Sequence, residues 1–165
     1  MIQQMDVTFA TKNAQQGLNS RQITGSGLHG LLFKTVLSAY NSHETDWLHN
    51  HQTPKPFALA PLYGAERQMT GLRLAALNGR TADLMRHAWE QTAVQQQPLA
   101  LGRQQFQATA VAVQPERSFT QLLQQAKPHA WQKLTFNTPC TFRQGPGALP
   151  LPLPVTLLPT LALPG

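Results

Sequence analysis

Cysteine is almost missing from this chain: Cys140 stands alone among 165 residues. One thiol gives neither an intramolecular disulfide nor a thiolate zinc cage, and a reducing compartment is expected. Charge is also scarce, at 12% of residues against the ~25% of ordinary soluble domains. Acidic residues are scarcest, with seven Asp and Glu against thirteen Lys and Arg, leaving a net charge of +6. Such an excess favours a polyanionic partner, because each phosphate neutralised releases counterions. The basic residues are spread thinly and form no polybasic tail. No run of about 18 apolar residues occurs, so no membrane-spanning helix is expected. The opening MIQQMDVTF has neither the basic nor the apolar region of a signal peptide. A cytoplasmic location is the expectation. There is no internal repeat or low-complexity array.

What remains is a chain with 41% apolar residues, enough for a core, and a surface rich in uncharged Gln. Met5, Val7 and Phe9 alternate with polar residues and predict a half-buried strand. Gly25-Ser26-Gly27 interrupts the chain before a predicted helix from about Leu28 to Tyr40. Leu28, Leu31, Leu32, Thr35, Val36 and Ala39 form its apolar face. The segment from Asn41 to Pro56 has little apolar content besides Trp47 and Leu48. Residues Phe57 to Tyr63 and Met69 to Leu77 read as two strands. A second helix is expected from about Thr81 to Val94, started by Thr81 or Asp83, with Leu84, Met85, Ala88 and Trp89 buried. Phe106 to Val113 supplies a fourth strand. The order βαββαβ is the ferredoxin-like plan of the α+β class, with both helices on one face of an antiparallel sheet.

This first domain is expected to occupy residues 1–114. Residues 115–165 then read as a linker and a partial second ferredoxin-like domain. Ser118 to Gln121 carries a capping-box pattern that opens a short helix. Leu134 to Phe142 alternates like a first strand. Six prolines beyond Gly145 exclude a central strand or a long helix there.

Four of the six histidines fall between Gly25 and Leu62. His29 lies near the start of the first predicted helix, one residue off its apolar face. His49 follows in Trp47-Leu48-His49, and Lys55 comes six residues later. An imidazole titrates near pH ~6.5, so two of them can exchange protons at neutral pH. Two imidazoles, or one with a lysine, suffice to cleave RNA without a metal. One helps to deprotonate the ribose 2′-hydroxyl, another protonates the departing 5′-oxygen, and a cation such as Lys55 steadies the phosphate. His43, His49 and His51, with Glu44 and Asp46 nearby, fit no common zinc spacing. His43 and His51 read as surface histidines. Gly25-Ser26-Gly27 matches neither the nucleophile elbow, the phosphate loop nor the dinucleotide fingerprint. The strands lack the aromatic pattern of an RNA recognition motif.

Three pieces together resemble the CRISPR-associated RAMP endoribonuclease that processes repeat RNA. They are Gly27-Leu-His-Gly-Leu-Leu-Phe33; Leu48-His49 followed by Lys55-Pro-Phe57 and Ala60-Pro-Leu62; and Leu134 to Arg143 with the Leu-Pro run from Leu151. The resemblance implies tandem ferredoxin-like domains and metal-independent cleavage of CRISPR repeat RNA, leaving a 2′,3′-cyclic phosphate and a 5′-hydroxyl. It implies no metal and no cofactor. By position His49 matches the catalytic histidine, Lys55 its supporting lysine, and His29 a histidine some members use. Phe33 stands where other members place a tyrosine base, and it has no hydroxyl, so His29 is the candidate replacement. Lys34, Arg21 and Arg143 are the candidate RNA-binding residues. The implied partners are repeat or guide RNA and the subunits of a CRISPR interference complex. No glycine-rich RNA-gripping loop resembling the family's occurs before Gly165. The expectation is therefore a fragment, a natural truncation, or a missing half supplied by another subunit. The alternative function is a noncatalytic guide-RNA-binding subunit; a ferredoxin-like interaction module with no RNA role is a third reading.

Overall fold

The computed structural model describes residues 1–11, 17–19, 23–50, 55–64, 66, 68–125, 142–144 and 147–149. The chain divides into two compact units, Met1–Ala126 and Lys127–Gly165. In the first, β1 (Gln3–Thr11) is followed by α1 (Gly25–Gly30), a π-helical segment (Leu31–Leu37), α2 (Ser38–Tyr40) and α3 (Ser42–Asn50). Then come β2 (Phe57–Tyr63), β3 (Met69–Ala76), α4 (Gly79–Val94), β4 (Leu99–Leu101), β5 (Gln104–Val113) and α5 (Phe119–Gln125). The strands form one antiparallel sheet in the order β2-β3-β1-β5-β4. With β4 set aside, this is the ferredoxin-like order expected from the sequence.

Register explains which residues become core. Met5 and Val7 of β1 pair with Leu74 and Leu72 of β3, and on the other side with Val113 and Val111 of β5. Because side chains alternate, these share one face of the sheet. Met5, Val7, Leu72 and Leu74 have no exposed area, and Leu32, Leu37, Met85 and Trp89 from the helical layer are equally buried. Phe9 packs against this core with its ring tilted, 4.5 Å from the Phe106 ring and 6.0 Å from that of Trp89. Burying each large apolar side chain contributes ~1.5–3 kcal/mol, so the core fixes the helices onto the sheet. Gly71 faces Thr8 across the β1–β3 ladder, where an added Cβ would come 2.2 Å from the Val7 carbonyl oxygen. Only glycine allows that approach.

Several local expectations need correction. Gly25-Ser26-Gly27 is the first turn of α1 rather than a break. Thr24 caps it, its hydroxyl accepting from the Gly27 N–H at 3.1 Å. Helix α4 starts at Asn78, whose side chain accepts from the Thr81 N–H at 2.8 Å. Neither Thr81 nor Asp83 is that cap, although Leu84, Met85, Ala88 and Trp89 are buried as expected. Residues 42–50 form a helix despite their polarity, anchored by Leu48 and Thr45. Strand β4 is too short to show a period, and a turn through Gly102 at φ 60° joins it to β5.

Residues 115–125 go with the first unit. Ile2 and Arg117 form an isolated antiparallel bridge. Ser118 and Gln121 make the capping box reciprocally, with bonds of 2.8 and 3.0 Å. In the second unit, β6 (Phe142–Gln144) pairs with β7 (Gly147–Leu149) as a short hairpin. The expected strand from Leu134 lies outside the described residues except at Phe142.

Candidate active site

The site begins with an irregular helix. Residues 25–40 run on without a break, since Leu31 and Ser38 at the two joints keep right-handed helical dihedrals. Between them the backbone widens: the Ser38 N–H bonds the Phe33 carbonyl five residues back. A wide turn carries more residues per revolution than an α-helix, so it rotates the side chains beyond it about the helix axis. Phe33 and Leu37 are buried with Leu31, Leu32 and Val36, while Ala39, expected inside, is exposed. Helical spacing puts His29, four residues earlier, beside this aromatic ring.

The two rings of His29 and Phe33 lie 4.5 Å apart between centroids. His49, in the last turn of α3, stands edge-on to both, 5.4 Å from His29 and 5.1 Å from Phe33. Phe57, at the start of β2, also packs against Phe33, its ring 5.7 Å away. Lys55 Nζ donates to the His49 backbone carbonyl at 2.5 Å. A cation at that place also complements the negative end of α3. Thus α1, α3 and the residues leading into β2 bring His29, His49 and Lys55 to one patch, where all three are exposed.

The electrostatics favour a neutral imidazole at His29. Partial burial, followed by the positive charges of His49, Lys55 and Lys34, holds its pKa below the ordinary 6.5. A protonated His29 would be partly desolvated and set among other cations, and both effects disfavour it. At neutral pH His29 is therefore in the form that accepts a proton. Lys55 and Lys34 provide a positive potential suited to a phosphate.

The remaining sequence candidates fall out differently. Lys34 is exposed, adjoins Phe33 in the chain and acts electrostatically on His29. Arg21 and His51 lie outside the described residues. Arg143 sits in β6 of the second unit, opposite Ala148. His43 is 88% exposed in its side chain and lies 3.8 Å from the Glu44 carboxylate. Among the described residues no three His, Cys, Asp or Glu side chains gather as metal ligands would. Sequence reasoning marked Phe33 only for its missing hydroxyl and overlooked its contact with both imidazoles. The four-residue spacing from His29 could have signalled half of that contact.

No protein-family model matches the sequence, and no curated protein matches it. Solved structures do. A Cas6 product complex is 21% identical with a TM-score of 0.59, the match covering 92% of this chain and 58% of that one. A second Cas6 product complex is 24% identical with a TM-score of 0.48, covering 67% of this chain and 39% of that one. A RAMP protein described as binding different RNA substrates is 8% identical, at a TM-score of 0.47, over 71% of this chain and 50% of that one. The class defined by the fold is thus the ferredoxin-like α+β domain. Within that class, the chain has the fold of the first Cas6 structure, while spanning less than two thirds of its length.

Proposed function

We propose that this chain is a metal-independent endoribonuclease of the CRISPR RAMP type, cleaving repeat RNA to make guide RNA. What supports the reading is the convergence of His29, His49 and Lys55 from three separate parts of the chain. In this reading neutral His29 takes the proton from a ribose 2′-hydroxyl. The 2′-oxygen attacks the adjacent phosphorus, and the bond from phosphorus to the 5′-oxygen breaks. His49, as the imidazolium, gives its proton to that leaving oxygen. Lys55 and Lys34 stabilise the negative charge that grows on the phosphate oxygens. The products are a 2′,3′-cyclic phosphate and a 5′-hydroxyl, and atoms and charge balance without an added nucleophile.

Lys34, Arg21 and Arg143 are the proposed contacts to the RNA backbone. Repeat or guide RNA is the proposed partner, and the subunits of an interference complex are proposed as further ones. The decisive assay is incubation with repeat RNA from the source genome in the presence of EDTA, followed by end-group analysis. Cyclic-phosphate ends are expected. Cleavage that begins only after a divalent metal is added would sink the mechanism. Salt-sensitive binding without any cleavage would replace it with a noncatalytic guide-RNA-binding role.

A further inference from the structure

The Phe33 ring meets both imidazoles and a third ring, and its backbone is held as well. Phe33 is 3% exposed, with the His29, His49 and Phe57 rings at 4.5, 5.1 and 5.7 Å from its own. Its backbone carbonyl accepts twice from one residue, from the Ser38 N–H and from the Ser38 hydroxyl at 2.7 Å. An ordinary α-helix would pair that carbonyl with residue 37, one position earlier. The second bond therefore stabilises the wide turn selectively, compensating for poorer backbone geometry. Such turns are rare and are found mostly at functional sites. Ser38 itself is exposed, five residues from the ring it serves, so nothing about its own position in the sequence marks it.

We propose that Phe33 is the positioning residue of this site, and that the Ser38 hydroxyl sets its register by closing the wide turn. The ring acts as a spacer that fixes the separation and mutual tilt of His29 and His49. Removing the hydroxyl lets the turn tighten toward α-helical spacing. The Phe33 ring then rotates away from one of its two imidazole neighbours. The inference rests on the nuclease reading for its kinetic consequence but not for its geometric one.

Four variants of the full chain test it: Phe33→Leu, Phe33→Tyr, Ser38→Ala and Ser38→Thr. Two readouts apply: nuclear Overhauser contacts between the His29 and His49 imidazole protons, and single-turnover cleavage of repeat RNA in EDTA. Phe33→Leu should lose the inter-imidazole contact and slow the chemical step by about 10- to 100-fold with KM nearly unchanged, as displacement by ~1 Å does. Phe33→Tyr keeps the ring and should retain the contact. Ser38→Ala should weaken the contact and slow cleavage about 3-fold or more through loss of registration, with Ser38→Thr restoring both. Ser38 is exposed, so its variants remain informative if Phe33→Leu fails to fold. An intact contact and unchanged rate in Ser38→Ala, or in a folded Phe33→Leu, would overturn the proposal. If the wild type cuts no RNA while the contact still follows Phe33 and Ser38, the nuclease reading fails and the positioning role stands.

Discussion

Two corners of the helical layer use the same residue types to opposite effect. At one, His29 and His49 meet over Phe33 with Lys55 beside them, and every charge that shifts His29 is positive. At the other, Tyr40 and His87 stack within 14° of parallel, and both arginines have a carboxylate. Arg80 grips Glu44 with two bonds of 2.7 and 2.9 Å and lies 3.7 Å over the Trp47 ring. Arg86 meets Asp83 at 3.0 Å. His87 Nδ1 donates to the Asp83 carbonyl at 2.8 Å, which fixes its tautomer because a carbonyl can only accept. The second corner is compensated and ties helices together. At the first, the charges that act on His29 are all positive, and both imidazoles pack against the Phe33 ring. The proposed phosphate chemistry calls for the first arrangement, and a structural joint for the second.

The sharpest way to break the comparison is to remove one imidazole from each corner. His49→Ala should lower the single-turnover cleavage rate by ~10²–10⁴-fold, the usual contribution of a positioned proton-transfer group. The backbone carbonyl that holds Lys55 survives that change. His87→Ala should leave the rate within about twofold, because His87 belongs to the compensated corner. Equal losses from both would erase the distinction.

A smaller effect is expected on RNA affinity. Lys34→Ala should weaken binding uniformly across RNA sequences and reduce the slope of log K against log salt by roughly 1. Binding measured between low and moderate salt decides this. An unchanged slope would remove Lys34 from the proposed phosphate path.

Smaller still are the effects on stability, and their signs differ in origin. His29 has a lowered pKa in the folded protein, so the unfolded chain binds more protons at mildly acidic pH. Stability linked to His29 is present above pH ~6.5 and is lost as pH falls through the depressed folded value. His29→Gln should therefore flatten the fall in melting temperature between neutral pH and pH ~5. Glu44 also has a lowered pKa, chiefly through its hydrogen bonds to Arg80. Its contribution is present above the unfolded carboxylate value and is lost as pH falls through the folded one. Arg80→Met should raise the Glu44 pKa in a carbon-detected titration and cause a slight fall in melting temperature at neutral pH. Cleavage should be unaffected.

Much of the first unit was legible because its strands alternate cleanly. Met5 and Val7, and Phe106 and Ala108, marked the sheet, and Leu84, Met85, Ala88 and Trp89 marked the second helix. What escaped depended on features with no period. Strand β4 is only three residues long, and α3 owes its place to Leu48 rather than to an apolar stripe. The cap at Asn78 was overlooked because Thr81 and Asp83 carry the same chemistry one turn on. At the candidate site, His29, His49 and Lys55 could be picked out by residue type and order. Their convergence could not, since it comes from how α1, α3 and the residues leading into β2 pack together, which no spacing in the sequence records.

The most direct measurement is the pH dependence of single-turnover repeat-RNA cleavage in EDTA. Two imidazoles acting as base and acid predict a bell-shaped profile, with its acid limb below pH 6.5 and that limb altered in His29→Ala. A rate that climbs steadily through pH ~9, or a profile indifferent to His29, would contradict the account.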